Sequence, residues 1–556
     1  MASVVFNFNR YDSESSDEFS FSENEQESGF VGGREIEEEG EEEVDPERLI
    51  EEEEFFNIFG SEMESDDEEE FEGFGVPIFQ WVSSCETSGR SFDFSPGSAT
   101  GPQILFNSED VSEKVVFELF FTEELFSFLV EMTNTCAAKK QTDCVNKKLN
   151  WVDTDTNEMR VFVGLLIAMG TVKQPNYKRY WNFTEKITRT DGFSEIMSRD
   201  RFLAILSNLR FHDVTEPGPD QSDSRRKTYK IVKLINMICS RFESVYVPDR
   251  ELTIDEMMVK CKARIKIKQR MPAKPIKTGL KLWTVCEAKT GYVNKTRLYA
   301  GKEEEIDDVH GLQGRISADT KTARVVKYMV NHLKNQGYHL YMDNFYPIPA
   351  LLYELHKDFR IQSCGTVRVN SIGYPEELKC LKPKDLGERG TSRTLVSGKL
   401  LAMAWKDKKV VHFLSTIHQP GGDAVCHRRN KDGNQVEIAC PKLVSDYQKY
   451  MGGVDRADQR IQTYTCSRKS YKWPQRMFFQ IIEMSCNNAF IYFHKIKNTK
   501  LRYLSFRDNL VKQLCGNSSV TRPRRSVTCV ADARLLDVGS HFPCRAKPNP
   551  NSKQKR

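Results

Sequence analysis

The sequence predicts a mixed α/β core enclosed by helices and preceded by an acidic head without fixed structure. Three observations predict it. Apolar residues recur at helical spacing beyond residue 110, switch to strand spacing from Val247, and return to helical spacing after Asp458. The formal charge of +2 over 556 residues conceals −25 over residues 1–75 and +27 over the remainder. Within the strand-rich stretch, short apolar runs end on aspartates.

The head holds Glu37-Glu38-Glu39, Glu41-Glu42-Glu43, Glu51 to Glu54 and Asp66-Asp67-Glu68-Glu69-Glu70. Such a segment buries too little apolar surface to offset its ordering entropy, so disorder is expected over residues 1–105. It reads either as a solubilising tail or as an intramolecular DNA mimic or phospho-tunable brake, since Ser16 and Ser65 precede acidic residues. The basic body that follows calls for a polyanionic partner, because lysines and arginines gain affinity for phosphates by releasing counterions. No apolar run approaches the roughly 18 residues that span a bilayer; the longest, Val161 to Met169, contains Gly164 and follows Arg160. No N-terminal signal segment is expected either. The 15 cysteines form no C-x-x-C pair, which argues for reduced thiols rather than a disulfide framework.

In the helical region Thr122 caps a helix carrying Leu125, Phe128, Leu129 and Met132, and Thr156 caps another with Met159, Phe162, Val163 and Leu166. Ser198 precedes a third, and residues 225–242 form a fourth through Ile231, Leu234, Ile235, Ile238 and Phe242. Strands are then expected over Glu251 to Val259, Leu282 to Cys286 and Tyr292 to Tyr299, the last two joined by the turn Ala288-Lys289-Thr290-Gly291. A helix over Thr322 to Asn335, a strand from Tyr338 to Met342 and a helix from Pro349 follow. This succession of strand, hairpin, helix, strand and helix is that of a ribonuclease-H-like layer. Strands such as Leu400 to Trp405 and Val410 to Ser415 point to an inserted, mostly-β module, and Trp473-Pro474 opens an apolar helix expected to pack back on the first helical region.

The aspartates carry the chemistry. Asp255, Asp343 and Asp455 lie 88 and 112 residues apart, so only folding can unite them. Two Mg²⁺ ions held roughly 3.5–4 Å apart clamp the attacking and leaving oxygens of a displacement at phosphate, and oxygen ligands suit that metal. Asp458, three residues beyond Asp455, shares its helical face. Two basic stretches are candidates for DNA phosphates. In the first, Lys262, Arg264, Lys266, Lys268 and Arg270 alternate at strand spacing and Lys274, Lys277 and Lys281 continue the surface, although a solvated edge strand would carry the same pattern. The second comprises Arg468, Lys469, Lys472, Trp473 and Arg476, where the indole could stack on an unpaired base or serve as core.

From about residue 110 to 520 the chain resembles piggyBac-type DNA transposases. The matching words include Phe120-Phe121-Thr122-Glu123-Glu124-Leu125, Leu252-Thr253-Ile254-Asp255-Glu256, Met342-Asp343-Asn344-Phe345, Gly365-Thr366-Val367-Arg368 and Met451-Gly452-Gly453-Val454-Asp455-Arg456-Ala457-Asp458-Gln459. The resemblance implies catalytic, metal-binding roles for Asp255, Asp343 and Asp455 with Asp458 beside them. It further implies Mg²⁺ with Mn²⁺ as substitute, cleavage and hairpin formation at transposon ends, insertion at TTAA targets in double-stranded DNA, a homodimer, and nuclear location. No membrane or small-molecule substrate is implied.

The expected division is an acidic region over 1–105, a helical dimerisation and DNA-binding domain over 106–248 and 461–518, a catalytic domain over 249–372 and 435–460, the β-rich insertion over 373–434, and a basic tail over 519–556. That tail keeps only Cys529, His541 and Cys544, short of the cysteine-rich zinc module usual in the family. Pro347 also stands where the family more often has a small polar residue. Two functions stay open on the sequence: a metal-dependent transposase, or a non-catalytic DNA- or chromatin-binding protein derived from one.

Overall fold

The computed structural model describes residues 78–106, 111–143, 151–182, 187–220, 224–272, 274–301, 320–429, 435–466 and 472–516. The candidates Arg468 and Lys469, the basic tail and the acidic runs of the head lie outside them. Among the described residues the central element is a nine-stranded mixed sheet. Its strands are β1 (Glu251–Lys260), β2 (Gln269–Arg270), β3 (Thr278–Glu287), β4 (Val293–Leu298), β5 (His339–Met342), β6 (Gln362–Thr366), β7 (Ser392–Ser397), β8 (Leu400–Lys406) and β9 (Val410–Ser415). They run in the order β2-β3-β1-β5-β6-β9-β8-β7, with β4 also paired to β3. β1, β5 and β6 are parallel neighbours, and every other pairing is antiparallel.

Alternation along β1 and β3 sends their apolar residues to two of the three cores of the described residues, one on each face. Leu252 and Ile254 of β1 face one side with Trp283 and Val285 of β3, while Met257 and Val259 face the other with Leu280 and Leu282. The first side is covered by α6 (Lys321–Val330) and α7 (Pro349–Phe359), which are joined by the buried pair Lys327–Glu354 at 2.9 Å. The second receives the helical region. There α1 (Glu113–Glu118), α2 (Glu123–Asp143), α3 (Thr156–Thr171), α4 (Arg199–Asn208) and α5 (Tyr229–Val245) surround the later helices α10 (Trp473–Lys497) and α11 (Tyr503–Cys515). Thr122 and Ser198 cap α2 and α4 as the sequence predicts. At α3 the cap is Asp155 rather than Thr156, because the aspartate one residue earlier reaches the Glu158 N–H at 2.8 Å.

The packing of α10 against the first helical region shows in its rings and its polar atoms. Phe120 meets Phe242 and Tyr492 edge to face at 5.6 and 6.3 Å, contacts worth about 0.5–1.5 kcal/mol each beyond area burial. Asn487 donates to the Gly291 carbonyl at 3.0 Å, and Asn488 donates to the Val293 carbonyl and accepts from its N–H, both at 2.8 Å. Two buried amides thus lock the helix onto the β3–β4 turn. On the same helix Glu483 pairs with Arg507 of α11; both side chains are fully buried. Arg507 also donates to the carbonyls of Ile167 and Tyr464 at 3.1 and 2.8 Å, tying four segments together.

Two expectations change. The strands assigned to a separate insertion over 373–434 are β7, β8 and β9, which extend the central sheet from β6; among the described residues of that stretch, the hairpin β10 (Asp423–Arg429) with β11 (Gln435–Pro441) forms a sheet apart from it. The disorder expected up to residue 105 does not hold over residues 78–105. Residues 78–103 form a strap: Val82 pairs with Val396 on edge strand β7, Phe92 accepts from Arg250, Phe94 packs on Tyr338 at 5.0 Å, and Gly101–Pro102 pairs with Tyr246–Val247. Its aromatic residues supply the apolar surface that the acidic runs lack.

Candidate functional site

β1 and β5 run side by side and in parallel with Ile254 opposite Met342, so Asp255, half-way along β1, lies beside Asp343 at the edge where β5 stops. Close packing at glycine shapes this edge. A Cβ on Gly365 of β6 would lie 2.6 Å from the Pro347 ring, so the proline after Asp343 is accommodated by the missing side chain. α8 (Lys442–Tyr450) and α9 (Gly453–Thr463) then cross the second face of the sheet. A Cβ on Gly453 would come within 2.8 Å of the Thr253 hydroxyl, and that hydroxyl donates to the Tyr450 carbonyl at 2.7 Å. Gly453 thereby lets the first turn of α9, which carries Asp455, lie against β1, with Asp458 following in the next turn.

Asp255, Glu256 and Asp343 each bring a carboxylate oxygen to within 4.8 Å of the others. Glu256, which the sequence reading passed over, is buried and held through Oε1 by Lys281 at 3.1 Å and by the Tyr346 hydroxyl at 2.9 Å. Asp255 is held by Lys274 at 3.0 Å, and Asp343 accepts from the Phe345 N–H at 2.9 Å. Asp455 is exposed and Asp458 half-buried; the charge of Asp455 acts on Asp255 and Lys274, and Asp458 interacts with Asp455 and Lys274, but both stand outside the tight trio.

Concentrated negative charge shows in the protonation of the group. Burial, opposed by Lys274 and reinforced by Glu256, Asp343 and Asp455, pushes Asp255 well above the usual carboxylate range. Burial and Glu256 push Asp343 up to about 6, and burial and Asp455 do the same for Asp458. Glu256 goes the other way: against its burial, Lys281, Lys274 and hydrogen bonds from Asp255 and Tyr346 hold it down at about 2. Carboxylates this close resolve their repulsion by sharing a proton or by taking up a cation. The donor set is all hard oxygen, as Mg²⁺ requires.

The basic candidates separate by burial. Lys262, Arg264, Lys266, Arg270 and Lys277 are exposed and Lys268 is half-buried. The exposure alternates as the spacing predicts, but residues 261–268 are turn and coil, and only Gln269–Arg270 is strand. Lys260, Lys262, Lys268 and Lys277 line a cleft of about 520 Å³. Lys281 does not belong to that surface: it is buried on β3 with its ammonium on Glu256 and 4.7 Å over the Phe345 ring. Lys274 likewise turns inward to Asp255. Arg476 is buried and donates through Nε to the Lys260 carbonyl at 2.8 Å, so it braces β1 rather than facing a ligand. Lys472 is exposed, and Trp473 is half-buried against the helical core. A wider cavity of about 1000 Å³, lined by Phe128, His212, Tyr229 and Arg297 among others, shares no residue with the carboxylates.

Known proteins agree with this architecture. The profile of the Transposase IS4 family matches residues 112–490, most of the chain and all of the carboxylates. The chain belongs to the piggyBac-type transposase family. Human PiggyBac transposable element-derived protein 3 is 28% identical over 429 residues, covering 75% of this chain and 67% of that protein. Human PiggyBac transposable element-derived protein 2 is 27% identical over 470 residues, covering 80% and 73%. The fold is similar to that of piggyBac transposase solved in a synaptic complex with hairpin DNA, at TM-score 0.62 and 23% identity over 82% of this chain and 90% of that one. Among the described residues no helix is long and apolar enough to cross a membrane.

Proposed function

We propose that this member of the family is a metal-dependent DNA transposase, its sheet a ribonuclease-H-like layer and its partner double-stranded DNA cut at transposon ends and joined at TTAA targets. The convergence of Asp255, Glu256 and Asp343 carries the reading: a buried cluster with more carboxylates than cations is costly unless a ligand cation completes it. Asp255 and Asp343, with Asp455 and Asp458 of α9, which crosses the sheet face that Asp255 shares with Met257 and Val259, are the residues that would hold Mg²⁺, or Mn²⁺ in its place. Bound there, divalent metal supplies activation of a water or DNA 3′-hydroxyl and neutralises charge at the phosphate.

The chain's own residues then divide the work. Tyr346 and Lys281 orient Glu256 by sharing its Oε1, and the Phe345 N–H orients Asp343. Lys262, Lys268 and Lys277 line the cleft that adjoins the loop carrying Lys274, where phosphates of the duplex bind by charge. A homodimer acting in the nucleus is part of the same proposal. Strand cleavage of a duplex carrying transposon ends tests the reading: Asp343→Asn is expected to lower it by about 10³-fold with the fold and DNA affinity retained. Cleavage at the wild-type rate would remove Asp343 from the reaction. No cleavage by either protein, with DNA still bound, would favour the second reading, a DNA-binding protein without catalysis, which the transposable element-derived human relatives make worth testing.

A further inference from the structure

The two lysines inside the carboxylate cluster are held very differently. Lys281 rises from the middle of β3, is buried, shares Glu256 Oε1 with Tyr346, and lies over the rings of Phe345, Trp283 and Tyr299 at 4.7, 5.6 and 5.8 Å. It cannot withdraw without unpacking the sheet. Lys274 stands on a short loop closed at its base by the Met271 N–H bonding to the Lys277 carbonyl at 2.9 Å, and its side chain keeps 27% of its surface exposed. That loop carries Lys274 inward to Asp255 Oδ2 and Lys277 outward to the lysine-lined cleft. An ammonium 3.0 Å from a carboxylate oxygen occupies coordination space that a cation ligated by that oxygen needs.

The geometry points to Lys274 as a resident counter-ion of the site: it neutralises Asp255 in the metal-free protein and has to leave that carboxylate when a divalent cation enters. Lys274 is thus a positioning residue that sets the affinity and selectivity of the site, whereas Lys281 is fixed structure. This inference rests on the metal-dependent reading above. It predicts a change of unusual sign, since removing a residue of the site strengthens metal binding there. The competing ammonium is replaced by a neutral side chain, while the carboxylates stay in place.

The test is a Mn²⁺ titration of the full chain without DNA, read by the electron paramagnetic resonance of free Mn²⁺ and by the metal-induced rise in unfolding temperature. Lys274→Met is expected to bind at least about tenfold more tightly than wild type, and Lys274→Arg close to wild type. Lys274→Gln keeps a donor near Asp255 without the charge, and serves in place of the methionine variant if that one fails to fold. Lys289→Met removes one positive charge from an exposed lysine paired with Asp249 and Glu251, and is expected to leave Mn²⁺ affinity unchanged. Equal or weaker binding in both neutral variants, with binding abolished by Asp343→Asn, overturns the role of Lys274 alone. Wild-type binding no tighter than that of Asp343→Asn overturns both this role and the metal reading beneath it.

Discussion

Two clusters of buried charge in this molecule behave as opposites. Glu483 and Arg507 bring one charge each, both fully buried, and the guanidinium also donates to the Ile167 and Tyr464 carbonyls. Asp255, Glu256 and Asp343 bring three carboxylates against two lysines, and two of the three are pushed up out of their usual range. Balanced buried charge, tied by hydrogen bonds to neighbouring carbonyls, is a joint between helices. Unbalanced buried charge at a strand end is a site waiting for a ligand, and the imbalance is a better guide to function than burial itself.

The comparison breaks most visibly at the joint. Arg507→Met strands Glu483 in the core and is expected to cost about 3–5 kcal/mol in urea unfolding, with Glu483→Gln in the same chain recovering much of it. A loss below about 1 kcal/mol would mean that the pair is no keystone. The pH dependence separates the clusters next. Asp343 and Asp458 have folded-state values of about 6, above the ordinary 3.8, so the folded protein holds their protons more tightly than the unfolded chain does. Their stabilisation is complete below pH about 4 and is lost as pH rises through about 6. In chelator, the unfolding temperature of wild type relative to Asp343→Asn should therefore fall across that window; a difference independent of pH would contradict the crowding of the carboxylates. The smallest effect is expected at the exposed rim. Lys262→Ala should weaken duplex binding uniformly across sequences and lower the salt slope by about 1, in contrast to a buried lysine such as Lys281.

Much of this was written in local words. The run of strand, hairpin, helix and strand is legible because each element has its own period, turn and cap, and the aspartates stand out because each ends an apolar strand or opens a helix. Glu256 escapes notice because strand alternation sends neighbours to opposite faces; only where β5 ends beside the middle of β1, with Lys281 and Tyr346 holding Oε1, do the carboxylates of Asp255, Glu256 and Asp343 come together. The lysines are ambiguous for a similar reason. Spacing tells that Lys262 to Arg270 alternate, but whether Lys274, Lys281 or Arg476 meets solvent, a carboxylate or a carbonyl depends on partners distant in sequence. The extension of the sheet by β7 to β9 is likewise a matter of which edge a hairpin finds, and no residue in those strands announces it.

The strap over residues 78–103 sets a boundary for dissecting the chain. Val82 is bridged to Val396, Thr87 donates to Gln419, and Phe94 lies on Tyr338, so the strap shields an otherwise open strand edge and fastens it to the turn before β5. A truncation that removes the acidic runs and stops before Ile78 separates charge from architecture. One carried to residue 100 bares the edge of β7, and any activity it loses would speak of a frayed sheet, not of a missing acidic head.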